Sequence, residues 1–413
     1  MMPVPPGSAP GPAATPAAAP VAANGSLFRP GTDNLILSES LGGPGTGAGS
    51  SESWTSSGAD LEAFVKRALV ERPGSAWATL HAAAQAGPQL QLLLAVQSGA
   101  VGAIGLRDHM EDRHVVAESL AGCPAAHLYL VLDGHRGAAA AEFVAAHAAG
   151  AVAFALAEDT DPGSALATAF LALDAAYVAA EEEAAQQHSE GNHRLAARPR
   201  PSGCCAVAAL LWGGRTLYLA NAGDCRAVLL RDSESDPAAA AGPGVTWSEA
   251  ADSDSHSQLL QSCHRPRLVA TALTRDHTAN DPAERERLTA SGHGGALMAP
   301  QRPGGGGWRV APAALEVTRS LGDADMRGSG VTPSPEVSSV ELGQGDVALI
   351  LGCDGLWDTL TLGEAARLVA ETVKQPAMLA SRLVEVALSE GSDDNVTALV
   401  VLLKGQSTLE RIY

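Results

Sequence analysis

The sequence predicts an α+β fold, and three observations lead there. The run "CAVAALLWGGRTLYLANAGDCRAVLLR", Cys205 to Arg231, reads as strand, Gly213-Gly214 turn, strand, tight turn, strand, an antiparallel meander. Ala-rich helical stretches gather ahead of it, near 138–157 and 164–183. The regular β-α-β alternation of a doubly wound parallel sheet is missing, and no internal repeat of fixed period is visible.

Taken in order, residues 1–55 are mostly Pro, Ala, Gly and Ser and hold too little apolar surface to offset chain entropy, so a disordered tail is expected. Arg29 is the only base among its first fifty residues, poor support for a transit peptide, although organellar targeting stays open. Residues 56–90, including "DLEAFVKRALVERPGSAWATL", are read as a helical extension, and 91–408 as the main domain. Leu128 to Leu132 is a buried strand. The polar stretches 188–201 and 232–267 are read as surface insertions, and 293–310, with the glycine run Gly304 to Gly307, as a loose flap. "NDPAERERLTASGH" signals a short helix, with Asp281 as N-cap, Pro282 at N1, Glu284 at N3 and Gly292 as the stop. "TLGE", Thr361 to Glu364, is a second capping box, and "VALILGCDGLWD" and "NVTALVVLLK" hold strands of buried character.

Composition bounds the function. Apolar residues are 46% of the chain but aromatics only 4%, so the core must be built mainly from Leu, Val and Ala. With 46 acids against 27 bases and a net charge of -19, nucleic acid and anionic membrane are disfavoured as partners. No uninterrupted apolar run of about 18 residues predicts a bilayer span, and the N-terminus lacks a secretion signal. The six cysteines form neither CxxC pairs nor zinc-finger spacings, which points to free thiols in a reducing compartment, cytoplasmic or nuclear.

The acids themselves are the sharper signal. "VLDGH" at Asp133, "LGCDGLWD" at Asp354 and Asp358, and "GSDDNV" at Asp394 each set a carboxylate at a strand end, where a site can open to solvent. "MED", Glu111-Asp112, precedes a β-rich stretch, and "ANAGDCR" puts Asp224 in a turn of the expected meander. Singly, each is an ordinary turn signal. Together they form the oxygen chemistry that hard cations such as Mg2+ or Mn2+ require.

At this point the chain resembles the type 2C metal-dependent Ser/Thr protein phosphatases, the PPM family. The resemblance runs in family order through "GLRDHMEDRHV", "LVLDGHRG", "LANAGDCRAVL", "LTRDHTANDPAERERL", "WRVAPAALEVTRSLGD", "VTPSPEV", "LILGCDGLWD" and "GSDDNVTALVV", from about residue 100 to 404. It implies an αββα sandwich of two antiparallel sheets flanked by helices, acting as a monomer on phosphorylated proteins. It also implies hydrolysis of phosphoserine and phosphothreonine by water activated between two ions of Mg2+ or Mn2+. In that reading Asp133 bridges the two metals, the Gly134 carbonyl binds one, Asp354 and Asp394 hold the other, and Glu111 and Asp112 act largely through waters. Two neighbouring dications repel unless anionic ligands stand between them, which gives Asp133 a physical reason.

Arg107 would clamp the phosphate with its planar fork. His135 would be the general acid for the departing alkoxide, the alternative being a structural histidine that orients a bound water or a neighbouring carboxylate. Asp224 and Asp358 match positions for a weaker third metal, with capping of a turn and of a helix start as their alternatives. Arg319, Gly322, Asp323, Asp276 and His277 belong to the pattern and are assigned to architecture.

Cys204-Cys205 stand where the family usually has Ser or Thr, an exchange of small residues on a buried strand. No phosphate-cradling loop ending in Arg follows them, so a cysteine nucleophile is disfavoured. The main rival reading is a catalytically silent, phosphoprotein-binding member. A second is an unrelated hydrolase of small phosphate esters.

Overall fold

The computed structural model describes residues 58–85, 95–191, 201–233, 268–300, 307–372 and 375–404. The expected tail, most of both expected insertions and the first three residues of the glycine run lie outside them.

Helices α1 (Gly58–Glu71) and α2 (Ala76–Gln85) come first, followed by strands β1 (Ala95–Ala103), β2 (Arg113–Ala117) and β3 (Ala126–His135). The long helices α3 (Ala139–Glu158) and α4 (Pro162–Gly191) lead into β4 (Gly203–Trp212), β5 (Thr216–Ala222) and β6 (Arg226–Asp232). Then come β7 (Leu268–Ala272), α5 (Pro282–Ala290), β8 (Leu297–Met298), β9 (Arg309–Val310), β10 (Leu321–Gly322) and β11 (Glu336–Glu341). The last elements are β12 (Asp346–Gly352), the single turn α6 (Asp354–Trp357), α7 (Leu362–Glu371), α8 (Pro376–Ser389) and β13 (Val396–Lys404).

Two antiparallel sheets carry the fold: one in the order β1-β13-β12-β6-β7, the other β11-β5-β4-β3-β2 with β10 beside β4. Side chains alternate between the faces of each strand. Tyr129, Val131, Val207, Ala209, Leu211 and Leu219 of one sheet meet Leu229, Leu349, Leu351, Leu399 and Val401 of the other in a shared inner core. Their sequence neighbours Leu128, Leu130, Leu132, Ala206, Ala208 and Leu210 face the first four helices, while Val228, Leu230, Ile350, Ala398 and Val400 face α7 and α8. Four layers result, as the family resemblance implies.

The α1–α2 region packs into this core. Trp77 is buried, its indole N–H donating to the Ala153 carbonyl at 2.8 Å, and Phe64 stacks on Phe154 with ring centroids 5.3 Å apart. Helices α3 and α4 are long and apolar enough to cross a membrane by composition. Half of the apolar window of each is buried inside the fold. Helix α4 also runs on to Gly191, into the segment expected to be an insertion.

One strand assignment is overturned. The stretch Cys205 to Arg231 is not a single meander: β4 and β5 pair, but β6 leaves them to join β12 and β7 in the opposite sheet. The crossing occurs at Gly223, whose φ of +115° suits a residue without Cβ. A local strand-turn-strand pattern does not record which sheet the third strand enters.

The capping box at Thr361 forms as expected, with Glu364 reaching back to the Thr361 N–H at 2.9 Å. At α5 the expectation fails in part. Asp281 caps Ala283 at 3.1 Å, but Glu284 turns inward, accepting from Arg319 at 2.6 Å, Thr318 Oγ1 at 2.7 Å and Arg287 at 2.9 Å. Three side-chain donors, two of them charged, outcompete one helix-terminal N–H.

Candidate metal centre and active site

The inner faces of the strands converge on the site. Asp133 continues the Tyr129-Val131 row of β3, opposite Cys205 of β4. Cys353 continues the Leu349-Leu351 row of β12 and leads directly into Asp354. Asp224 sits where the chain crosses between sheets. A dry core thus ends in a mouth lined by carboxylates.

Two groups of potential ligand atoms form there, each within 4.8 Å: Asp112, Asp133 and Cys353, and Asp133, Asp224 and Asp354. Asp133 belongs to both. Repulsion is evident throughout. Burial, then the charges of Asp354, Asp112 and Asp224, push the Asp133 carboxyl well above the usual carboxylate range. Burial, then Asp354 and Asp394, raise Asp112 to about 6. Burial and Asp354 raise Asp224 to about 7, although the Cys205 thiol hydrogen-bonds it and opposes the change.

The residues fit divalent cations on grounds of their own. Asp112 Oδ2 and Asp354 Oδ1 are enclosed with no hydrogen-bond partner, which is costly unless a cation or an ordered water completes them. The donors are carboxylates at mutually repulsive distances, a setting that hard cations stabilise.

The expected residues gather to different degrees. Asp394 is close enough for Asp354 to raise its carboxyl further, after burial, and it accepts from Arg107 Nη2 at 2.6 Å. Gly134 has a packing reason: a Cβ there would come within 2.6 Å of the Glu111 carbonyl. The Glu111 side chain is outside both compact groups, and Glu111 enters the site by its backbone, its N–H donating to Asn395 Oδ1 at 2.7 Å. Asp358 follows α6 and also lies outside the groups, its carboxyl raised by partial burial and by Asp354. His135 Nε2 lies 2.7 Å from Asp323 Oδ2.

A family model described as Protein phosphatase 2C matches residues 97–396. The chain belongs to the protein phosphatase 2C family. A "Protein kinase and PP2C-like domain-containing protein" of Oryza sativa subsp. japonica is 35% identical over 315 residues, covering 76% of this chain and 40% of the relative. Its Arabidopsis thaliana namesake is 35% identical over 318 residues, with 77% and 41% covered. The chain thus spans about two fifths of the length of these two relatives. "Probable protein phosphatase 2C 47" of Oryza sativa subsp. japonica is 32% identical over 332 residues, with 76% and 71% covered. The solved serine-threonine phosphatase 2C from Toxoplasma gondii shares the fold, with a TM-score of 0.57 at 20% identity, over 76% of this chain and 98% of that one.

Within this phosphatase 2C domain, residues without an assigned site role hold the centre together. Asn395 donates to the Ile104 and His109 carbonyls at 2.9 and 3.0 Å, pinning the loop that carries Arg107 to the loop that carries Asp394. His277 is fully buried, its Nδ1 accepting from Gly223 N at 3.4 Å and its backbone N–H donating to the Gly223 carbonyl at 2.9 Å, which fixes the turn before Asp224. Asn221 donates to the same Gly223 carbonyl at 3.1 Å. The motifs "GSDDN" and "RDH" contain two of these residues, but their contacts span 54 positions or more. The four cysteines at 204, 205, 225 and 353 are buried and free, with thiols raised well above their usual range first by burial, which suits packing rather than nucleophilic attack.

Proposed function

We propose that this chain is an active protein-serine/threonine phosphatase that hydrolyses phosphoserine and phosphothreonine in proteins with two Mg2+ or Mn2+ ions. The observation that carries this reading is the pair of ligand groups sharing Asp133, with orphaned oxygens on Asp112 and Asp354. Asp133 would hold both cations, the Gly134 carbonyl and Asp112 one of them, and Asp354 and Asp394 the other. Asp224 and Asp358 would serve a weaker third ion. When bound, the cations lower the pKa of the attacking water and neutralise phosphoryl charge.

The chain's own residues supply the rest. Arg107, half exposed beside Asp394, presents a fork to phosphate oxygens at the mouth. Asp394 accepts from its Nη2 at 2.6 Å, a pairing with which a phosphate anion would compete. His135, two residues beyond Asp133, gives a proton to the departing serine or threonine oxygen. The inner core beneath keeps the carboxylates on a rigid support.

The test is phosphopeptide hydrolysis with Mn2+ or Mg2+, with EDTA, and with Asp354→Asn, alongside calorimetric titration of the cations. Turnover that needs the cation and collapses in Asp354→Asn is expected. Metal-independent turnover, or full activity in that variant, would sink the mechanism. Cation and phosphopeptide binding without turnover would identify a silent, binding member instead.

A further inference from the structure

Arg136 and Asp323 both adopt left-handed backbone, with φ of +61° and +47°, a region that residues with side chains seldom enter. They meet each other through Arg136 Nη2 and Asp323 Oδ1. Arg136 also grips Asp325 with two contacts of 3.0 Å. Asp323 is fully buried, its N–H donating to the Ser202 carbonyl at 3.0 Å. Its Oδ2 accepts from Ser320 Oγ at 2.5 Å and faces His135 Nε2 at 2.7 Å. Strand β4 admits the carboxylate only because residue 203 is glycine, where a Cβ would come within 2.4 Å of it. Burial opposes its ionisation, but the His135, Ser320 and Arg136 donors outweigh that and hold its carboxyl below the ordinary range.

So many constraints on one carboxylate exceed what a loop contact needs, and of its partners His135 stands two residues beyond Asp133 on β3, on the same face of the strand. We propose that Asp323 is a positioning residue for His135, holding its Nε2–H so that Nδ1 serves the departing oxygen, and that Arg136 locks Asp323 in place. This rests on the phosphatase reading. In the step, the water oxygen bonds to phosphorus as the bond from phosphorus to the serine or threonine oxygen breaks. The Nδ1 proton passes to that oxygen, and the ring is left neutral with Nε2–H still on Asp323.

The leaving group discriminates. An alkoxide needs the proton; p-nitrophenolate hardly does. Asp323→Asn should lower kcat on a phosphothreonine peptide by about 30-fold or more and on p-nitrophenyl phosphate by less than about 3-fold, with KM and the Mn2+ half-activation concentration nearly unchanged. Ser320→Ala, which removes one neutral donor and no charge, should show the same skew more weakly, and Arg136→Lys should retain more peptide activity than Arg136→Gly. Ring nitrogen correlations of His135 by NMR should show an Nε2–H resonance that Asp323→Asn displaces. Equal losses on the two substrates, or an undisturbed ring signal, would overturn the inference alone. A wild-type chain inactive on both substrates with either cation would overturn the phosphatase reading as well.

Discussion

Asp112 and Glu284 are both carboxylates with almost no exposed surface, at 3% and 1%, and their surroundings drive them in opposite directions. Around Asp112 burial, and after it the charges of Asp354 and Asp394, raise the carboxyl to about 6, with no cation among its partners in the described residues to offset them. Around Glu284, burial acts the same way but is outweighed by Arg319, Thr318 and Arg287, and the carboxyl falls to about 2. Burial alone therefore does not mark a functional acid. The sign of the charges enclosed with it does, because a cluster of like charges persists only where something outside the chain compensates it.

The largest effect expected from this contrast is on catalysis. Asp354→Asn should lower phosphopeptide turnover at saturating Mn2+ on the order of 10³-fold, roughly 4 kcal/mol, in steady-state assays. The metal-free variant should be at least as resistant to urea as the parent, since one repelling charge is gone. Loss of stability there would break the contrast.

Glu284→Ala should behave in the reverse way, costing about 3 kcal/mol in urea unfolding because Arg319 and Arg287 lose a buried partner. Any activity retained at low temperature should keep its cation dependence. A stability change near zero would show that the paired cluster is dispensable.

The third expectation concerns pH. The folded-state values of Asp112 and Asp224, about 6 and about 7, lie above their unfolded value of 3.8, so the folded chain holds extra protons between about pH 4 and 7. These two groups should make metal-free protein gain stability, on the order of 4 kcal/mol, as pH falls from 8 to 5, offset in part by His114, His127 and His277, whose burial-lowered imidazoles cost stability as pH falls through 6.5. Glu284 opposes this only lower down, its contribution being complete above the unfolded 4.5 and lost as pH falls toward 2. Thermal melts across pH with and without Mg2+ check this, and saturating Mg2+ should flatten or invert the trend.

Cys205→Ser should have the smallest effect, under about 1 kcal/mol in stability, since a hydroxyl keeps the hydrogen bond to Asp224. Turnover should change by less than threefold, roughly 0.7 kcal/mol in barrier. A larger loss of activity would mean that the thiol contributes more than packing beside the carboxylates.

Much of the site was legible in the sequence because strand-end aspartates in a family order are local words. The structure brings Asp112, Asp133, Asp224 and Asp354 together in the two compact groups, and leaves Asp394 outside them. Glu111 lies outside the compact groups because backbone direction at a loop decides which of two adjacent carboxylates turns inward, and Asp358 lies outside them because a full helical turn separates it from Asp354. The role of Asp323 is not legible locally, since its link to His135 spans 188 positions and no local pattern encodes it.

By itself the sequence determined the strands with their two-residue alternation, the Thr361 and Asp281 helix starts, and a set of acids suited to hard cations. Those depend on neighbours a few residues apart, through backbone geometry and side-chain period. Only the tertiary structure decided that β6 leaves the meander for the opposite sheet, carrying Asp224 to the junction. It also decided that Glu284 is neutralised while Asp112 is not, and that Asp323 meets His135. Sheet partnership and local charge are sums over distant groups, and those sums exist only once the chain has closed on itself.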